Sequence, residues 1–128
     1  MGVSQPRNGT CKGNKVFRAR SQAEEGFAAG IYVDGGKDIV VEDNEVYECD
    51  LGIEIGAENQ GIVASGVVVR ANRVHDNDKA GIVFGGYRKI AGRTARCIFT
   101  ENILTNNDTK NLGFGEFWVQ YAVDNQVN

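Results

Sequence analysis

The sequence contains little proline, histidine or cysteine. Proline occurs once in 128 residues, at Pro6, and histidine once, at His75. The three cysteines Cys11, Cys49 and Cys97 are odd in number and form no C-x-x-C pair. This pattern disfavours both a disulfide framework and a zinc site. We therefore expect three free thiols, with Cys11 and Cys97 buried, and no metal ion.

The sequence also has no large excess of positive or negative residues and no long apolar segment. The formal net charge is -3, with acids and bases interspersed, so no basic surface is expected to recruit nucleic-acid phosphates. No apolar run approaches the roughly 20 residues that cross a bilayer, and the opening MGVSQPRNGT lacks the apolar stretch of a signal peptide. The glycine turns GGKD and FGGYR lack the strand-to-helix context of a phosphate loop. We expect a soluble chain without a nucleic-acid, membrane or cofactor partner.

Glycine, in contrast, is abundant, with 17 residues. A chain rich in glycine and nearly free of proline suits many turns between short strands, and its length allows one hydrophobic core. We therefore expect a single domain over residues 1–128.

The most informative feature is a repeat. Five segments share an asparagine followed two residues later by Val or Leu: GNKVF, DNEVY, ANRVH, ENILT and DNQVN. They align on Asn14, Asn44, Asn72, Asn102 and Asn125, at intervals of about 30 residues except for the shorter last one. A second landmark is GI followed by alternating residues, in GIYV, GIEI and GIVF, with EFWV as a degenerate fourth. The smallest complete unit runs from Gly30 to Leu51.

Around each asparagine, apolar and polar residues alternate. Two positions after it come Val16, Val46, Val74, Leu104 and Val127, and three before it come Cys11, Val41, Val69 and Phe99. This alternation indicates short strands with one inward face. One coil cannot bury that face alone, so successive coils must stack and pair in parallel. The repeat predicts an all-β fold, a single-stranded parallel β-helix of about four coils with incomplete coils at both ends.

Three further sets of positions bear on such a stack. The asparagines fall at a turn, where their amides can form a structural ladder of hydrogen bonds with the asparagines above and below. A second ladder is at best partial, because its positions hold Ala19, Cys49, Asn77 and Asn107. Outward charges alternate in sign in the columns Lys12, Glu42, Arg70 and Lys15, Glu45, Arg73, which favours one register.

The outward face of the GI strands is the best candidate for a binding site. It presents Tyr32, Glu54, Val83 and Trp118 in one column and Asp34, Gly56, Gly85 and Gln120 in the next. Aromatic rings can stack on sugar faces, and acids can accept hydroxyl hydrogen bonds. Segments 57–65 and 86–95 follow two of these strands as loops and are expected to wall the face. The predicted substrate-binding residues are Tyr32, Tyr87, Trp118, Gln120 and Tyr121.

The predicted catalytic residues are the carboxylates Asp34, Glu54 and Glu58, which one face of adjacent coils would hold together. A pair of carboxylates about 5 to 10 Å apart could serve a glycosidase as acid and base. The alternative is that these acids are only solvated. Arg88 and Lys89, beside Tyr87, could contact an acidic sugar or lie in solvent.

At its GI strands and NxV segments, from Cys11 to Asn128, the chain resembles the right-handed parallel β-helix repeat superfamily. That superfamily includes pectate lyases, alginate-modifying epimerases and lyases, and the copper-site maturation protein NosD. The resemblance implies right-handed coiling, secreted parent proteins and, for an enzyme, a lyase, hydrolase or epimerase acting on a polysaccharide along the strand face. The tyrosine-and-DPHE motif of the alginate epimerases is absent, so that activity does not carry over.

Two classes of function follow. The first is a carbohydrate-binding or carbohydrate-processing module with a polysaccharide ligand, and the second is a non-catalytic structural solenoid that assembles with itself. An outward apolar stripe, Thr10, Val40, Val68 and Ile98, lies beside the outward Phe17, Tyr47 and His75 in the predicted register. Exposed apolar stripes tend to mark interfaces, so we expect a homo-oligomer, most simply a two-fold dimer.

Overall fold

The computed structural model describes residues 7–23, 26–57, 61–85, 93–120 and 122–128. These residues form short β-strands joined by turns. None of the described residues belongs to a helix long and apolar enough to cross a bilayer.

The strands form four parallel sheets, which successive coils enter in the same order. Sheet 1 contains β1 (Thr10–Lys12), β4 (Val40–Glu42), β8 (Val68–Arg70), β12 (Ile98–Thr100) and β16 (Gln126–Val127). Sheet 2 contains β2 (Lys15–Phe17), β5 (Glu45–Tyr47), β9 (Arg73–His75) and β13 (Ile103–Thr105). Sheet 3 contains β3 (Ala29–Asp34), β6 (Leu51–Gly56), β10 (Ala80–Gly85) and β14 (Phe117–Gln120), and sheet 4 contains β7 (Val63–Ser65), β11 (Arg93–Ala95) and β15 (Ala122–Val123). Between Asp34 and Val40 sheet 4 is represented only by Lys37, which forms an isolated parallel bridge with Ser65. The predicted all-β parallel solenoid is therefore confirmed.

The corner between sheets 1 and 2 is made by one residue in the left-handed conformation, followed by the repeat asparagine. Gly13, Asp43, Ala71 and Glu101 hold this position, with φ of 70°, 54°, 56° and 59°. A single left-handed residue redirects the chain while leaving the next backbone N–H aimed along the solenoid axis. Three of the four positions lack glycine, so stacking of the coils must offset a conformational cost of about 1 kcal/mol at each.

The asparagine ladder forms along this corner. The side-chain Nδ2 groups of Asn14, Asn44 and Asn72 each donate to Oδ1 of the asparagine one coil on, at 3.0 Å. The backbone N–H groups of the same three residues donate to the same oxygens, at 2.9–3.0 Å. Asn44 and Asn72 are buried. Their amides therefore satisfy polar groups that the bend would otherwise leave unpaired in the core.

Asn125 does not belong to this ladder, and its predicted alignment is wrong. Strand β16 pairs with β12 through Ile98 and Gln126, which places Asn125 one coil after Cys97, a separation of 28 residues. The Oδ1 of Asn125 accepts a hydrogen bond from the Cys97 backbone N–H at 2.9 Å, at the corner between sheets 4 and 1. Val127 accordingly pairs with Phe99 and not with Leu104. The segment DNQV has the same sequence pattern as the asparagine motif, but it lies one corner earlier in the coil, between sheets 4 and 1.

The core is built from inward columns of β-branched and aromatic side chains. Val41, Val69 and Phe99 are fully buried in sheet 1, and Ile53, Ile82 and Ile55 in sheet 3 are fully buried as well. The Phe84 and Phe99 rings stack across the core with centroids 4.2 Å apart. Closely stacked columns of this kind hold the outer faces of the sheets in a fixed geometry.

All three thiols are free, as predicted. Cys97 is fully buried, whereas Cys11 is only half-buried, so the prediction of a buried Cys11 is wrong. Cys11 lies in β1, at the edge of sheet 1, where β4 is its only strand neighbour in the described structure. Burial raises the pKa of both Cys49 and Cys97, which keeps these thiols protonated and unreactive.

The outward charge columns and the second ladder are also present. Glu42 lies between Lys12 at 3.6 Å and Arg70 at 3.0 Å. Glu45 lies between Lys15 at 4.0 Å and Arg73 at 3.9 Å. The second ladder is partial, as expected: the Asn77 Nδ2 donates to Asn107 Oδ1 at 2.7 Å, and Cys49 contributes only its backbone N–H.

Candidate functional site

The outward face of sheet 3 carries the column that the repeat predicts. Tyr32 pairs in register with Glu54, Glu54 with Val83, and Val83 with Trp118. The inward residues between them, such as Ile53 and Ile55, are fully buried, which turns the alternate side chains outward. With strands about 4.8 Å apart, the column from Tyr32 to Trp118 is roughly 14 Å long.

An open trough of about 720 Å³ lies over this face. Its floor holds the column Tyr32, Glu54, Val83 and Trp118, and one side is formed by Phe27, Ala28 and Ala29. The opposite side is formed by Ala57, Gly85 and Gln120. The trough crosses all four strands of sheet 3 and therefore runs along the solenoid axis.

The Phe27 side of the trough is a loop held by one buried carboxylate. Asp50 is 3% exposed, and its Oδ2 accepts hydrogen bonds from the backbone N–H of Ser21 at 2.7 Å and of Ala28 at 3.1 Å. Both ends of the loop are therefore tied to the same oxygen atom. We refer to residues 20–28 as the arch, of which 24 and 25 lie outside the described residues.

Two cations fix the arch to later coils. The Arg20 guanidinium donates two hydrogen bonds to the Asp78 carboxylate, at 2.8 and 3.0 Å. The Lys79 ammonium donates to the Gly26 carbonyl and lies 4.6 Å from the centre of the Phe27 ring. The arch consequently spans from the first coil to the third and presents Phe27 near the far end of the trough.

A second loop brings another aromatic ring to the same end. The Asp108 carboxylate accepts hydrogen bonds from the backbone N–H groups of Leu112, Gly113 and Gly115, at 2.6 to 3.2 Å. Partial desolvation raises the pKa of Asp108, but these N–H donors together lower it by more. The loop places Phe114 on Trp118, with ring centroids 4.0 Å apart, and Phe27 lies 5.7 Å from Trp118. Two rings, one from each loop, therefore pack near Trp118: Phe114 is stacked on it and Phe27 is tilted beside it.

The structure brings only part of the predicted site together. Glu54, Tyr32, Trp118 and Gln120 line the trough. Asp34 is exposed and pairs in register with Gly56, outside the set of lining residues. The remaining predicted site residues, Glu58, Tyr87 and Tyr121, lie outside the described residues. Within the described residues, no group of three or more His, Cys, Asp and Glu side chains is placed to hold a metal ion.

The predicted walls need correction. Residues 63–65 and 93–95, expected to belong to loops, form the strands β7 and β11, which pair with each other in sheet 4. Their backbone groups pair within sheet 4, so these residues are part of the solenoid and not of a wall. Ala57 is the described part of these two segments that lines the trough, whereas residues 58–60 and 86–92 lie outside the described residues.

Phe27 and Phe114 are site residues that the sequence pattern missed. Both lie in irregular segments between strands, where neither the asparagine register nor the GI register applies. A signal was nevertheless present, because each phenylalanine lies in a long insertion that returns to a sheet 3 strand, and insertions on solenoids often carry binding residues.

His75 lies on sheet 2, apart from the trough. Its Nδ1 is 2.6 Å from an Asp76 carboxylate oxygen and its Nε2 is 2.8 Å from a Glu45 carboxylate oxygen. Partial burial lowers the pKa of His75, but the two carboxylate partners raise it by more, so the net pKa lies above its usual value. The ring also stacks on Tyr47, with centroids 5.0 Å apart, and Tyr47 stacks on Phe17.

Comparison with known proteins agrees with this architecture. The chain is 41% identical over 104 residues to the uncharacterized protein YwoF of Bacillus subtilis (strain 168), a match that covers 81% of this chain and 22% of that protein. The chain therefore spans about a fifth of the length of this relative. No solved structure shows a significant match. Residues 1–126 match the family described as the right handed beta helix region, and the chain belongs to that family.

Proposed function

We propose that the chain is a carbohydrate-binding module whose ligand, a polysaccharide segment, lies in the trough over sheet 3. The observation that supports this most directly is the position of Trp118. Its half-buried ring forms part of the trough lining, with Phe114 stacked on one face and Phe27 tilted beside it, so the trough has an aromatic surface of fixed position on which a sugar ring could stack. Aromatic platforms with a few polar groups beside them suit ligands that have both an apolar face and hydroxyl groups.

The polar groups of the trough also support carbohydrate binding. Glu54 lies in the middle of the floor, one strand from Tyr32, and Gln120 lies on the side opposite the arch. A carboxylate accepts hydrogen bonds from hydroxyl groups, and an amide both donates and accepts. The roughly 14 Å between Tyr32 and Trp118 leaves room for a short oligosaccharide to contact both rings.

The test is binding of soluble polysaccharides by affinity electrophoresis and calorimetry. Trp118→Ala should weaken binding at least about tenfold, because it removes the aromatic ring on which a sugar would stack. Phe17→Ala is the matched control, since Phe17 is an exposed aromatic residue on sheet 2 and should not contribute. If both variants bind every responsive polysaccharide as the wild type does, the trough is not the site.

Processing of the ligand is the further step of this proposal. Asp34 and Glu54 are the described candidates, on neighbouring strands of one sheet. Release of soluble products from a bound polysaccharide, abolished by Glu54→Gln, would make the module an enzyme. Binding without product release would leave it a binding module.

Self-assembly is the second candidate, favoured by the outward apolar residues of sheets 1 and 2. Ile98 is 38% exposed and Phe17 47% exposed, and Val40 and Val68 are half-buried on the same face. This surface is separate from the trough, so the two functions are compatible in one molecule.

A further inference from the structure

The ring of Phe27 is held on both sides by later coils, although it is 45% exposed. On one side, the Ala28 backbone N–H donates to the Asp50 carboxylate at 3.1 Å. On the other side, the Gly26 carbonyl accepts a hydrogen bond from the Lys79 ammonium. Both backbone neighbours of this ring are therefore fixed by side chains that precede strands β6 and β10.

The side chain of Lys79 starts from the coil stack and ends at the arch. Its backbone N–H donates to the Asp50 carbonyl at 2.8 Å, and the residue is only 3% exposed. Its ammonium lies 4.6 Å from the centre of the Phe27 ring. Burial of a cation is costly unless partners replace water, and a carbonyl oxygen and an aromatic ring are such partners. Both contacts with the arch depend on the charge of Lys79 and not on its length alone.

We infer that Lys79 is a positioning residue for glycan binding that acts through Phe27, an inference that rests on the proposed function. Phe27 and Trp118 both line the trough, with ring centroids 5.7 Å apart and planes at 49°. Two rings in this arrangement can contact the same sugar residue. A ring that is already in place loses less freedom on binding, and a freed arch would lower the fraction of molecules competent to bind.

The experiment is a double-mutant cycle on the full chain. The probe is whichever of xylan, glucomannan, pectin and alginate the wild type binds most tightly in affinity electrophoresis. Lys79→Met removes the charge and keeps most of the side-chain length, and Phe27→Ala removes the ring. Each variant should weaken binding at least about fivefold, as measured by calorimetry.

The double variant decides whether Lys79 acts through Phe27. It should bind about as tightly as Phe27→Ala alone, because Lys79 then has no ring to position. Two independent, additive losses would overturn the inference. Lys15→Met is the matched control, since the Lys15 ammonium lies 5.9 Å from the Tyr47 ring on sheet 2, and this variant should bind as the wild type does.

Folding and binding are separated by circular dichroism melts of every variant. If Lys79→Met does not fold, Lys79→Gln takes its place, because it is uncharged and keeps a donor for the Gly26 carbonyl. Wild-type affinity in Phe27→Ala would overturn the inference whatever the Lys79 variants do, and it would leave carbohydrate binding intact. Failure of the wild type to bind any of the four polysaccharides would instead overturn the proposed function.

Discussion

The imidazole of His75 lies between two carboxylates, and its charge should respond to them. Its pKa lies above the usual value because Asp76 and Glu45 stabilise the protonated ring. The pKa values of both carboxyls are lowered, in each case chiefly by the hydrogen bond with His75. Lys15 and Arg73 lie near Glu45 and moderate this acidic environment.

We therefore expect the single histidine to titrate above about 6.5. A raised folded-state pKa stabilises the protein fully below the unfolded value of about 6.5, and this contribution is lost as the pH rises through the folded pKa. The pH dependence of unfolding in that window should disappear in His75→Gln. The ring protons of His75 can be followed by NMR, since no other histidine is present.

Two variants test the cause of this shift. Glu45→Gln should move the NMR titration midpoint of His75 down, because one of its two carboxylate partners becomes neutral. Glu42→Gln is the control, since Glu42 bonds Arg70 on the neighbouring sheet 1. A midpoint that is the same in wild type and Glu45→Gln would show that the carboxylate contact does not form in solution.

Single residues also show how far the sequence could predict the structure. Asn14, Asn44, Asn72 and Asn102 could be aligned because the residues on both sides repeat with them. The motif alone misplaces Asn125, because a short motif looks the same at two different corners of a coil. The pairing of Gln126 with Ile98 decides between these corners, and such long-range hydrogen bonding is not visible in a local motif.

Among the larger elements, the arch is the one whose position depends on a few side chains. Its ends are joined through Asp50, and a buried hydrogen bond to a charged group contributes about 1.5–3 kcal/mol. Asp50→Ala should therefore free the arch locally and leave the coils in place. Amide hydrogen exchange should become at least about tenfold faster at Ser21 and Ala28, and unchanged at Asn72 in the ladder.

Asp50→Asn is the matched variant for the arch. It keeps an oxygen at the position that accepts both N–H groups, so protection at Ser21 and Ala28 should largely remain. Binding of a responsive glycan should follow the same order, because Asp50 positions Phe27 and does not line the trough. Equal exchange rates in wild type and Asp50→Ala would mean that the Asp50 carboxylate is not needed to hold the loop.

The arch is the part of the site that the sequence pattern does not predict, whereas the strand column is predictable. The column Tyr32, Glu54, Val83 and Trp118 follows from strand alternation, because period-two patterning specifies which side chains share a face. The path of residues 20–28 depends instead on contacts with Asp50, Asp78 and Lys79 in later coils. Contacts between distant coils that occur once in the chain leave no periodic signal.

For the whole molecule, the fold was predictable because each coil repeats the same physical problem. An apolar face that one coil cannot bury recurs at nearly constant spacing, and parallel stacking is the arrangement that buries it every time. Coil length was less predictable, since the same four sheets are maintained while insertions of different lengths occur between sheets 2 and 3 and between sheets 3 and 4. The register of strand pairing, and not the number of residues per coil, therefore stays the same from coil to coil in this chain.

Assembly is the remaining prediction at this scale. The outward residues Val40, Val68 and Ile98 are adjacent in the sheet 1 register, and Phe17 and Tyr47 stack beside them on sheet 2. We propose that this surface pairs with a second copy, because a two-fold contact would remove the stripe from water on both copies at once. Wild-type protein should then run as a dimer in light scattering at high concentration.

Val68→Asp should shift that dimer to monomer, because it would bury two unpaired carboxylates at the centre of the contact. Its outward position on the central strand of sheet 1 lets the coil itself accept the change, which a circular dichroism melt can check. Leu112→Asp is the control, since Leu112 is 51% exposed on the loop that carries Phe114 and lies outside the stripe. A wild type that remains monomeric at all concentrations contradicts the dimer, and a dimer that survives Val68→Asp places the contact elsewhere.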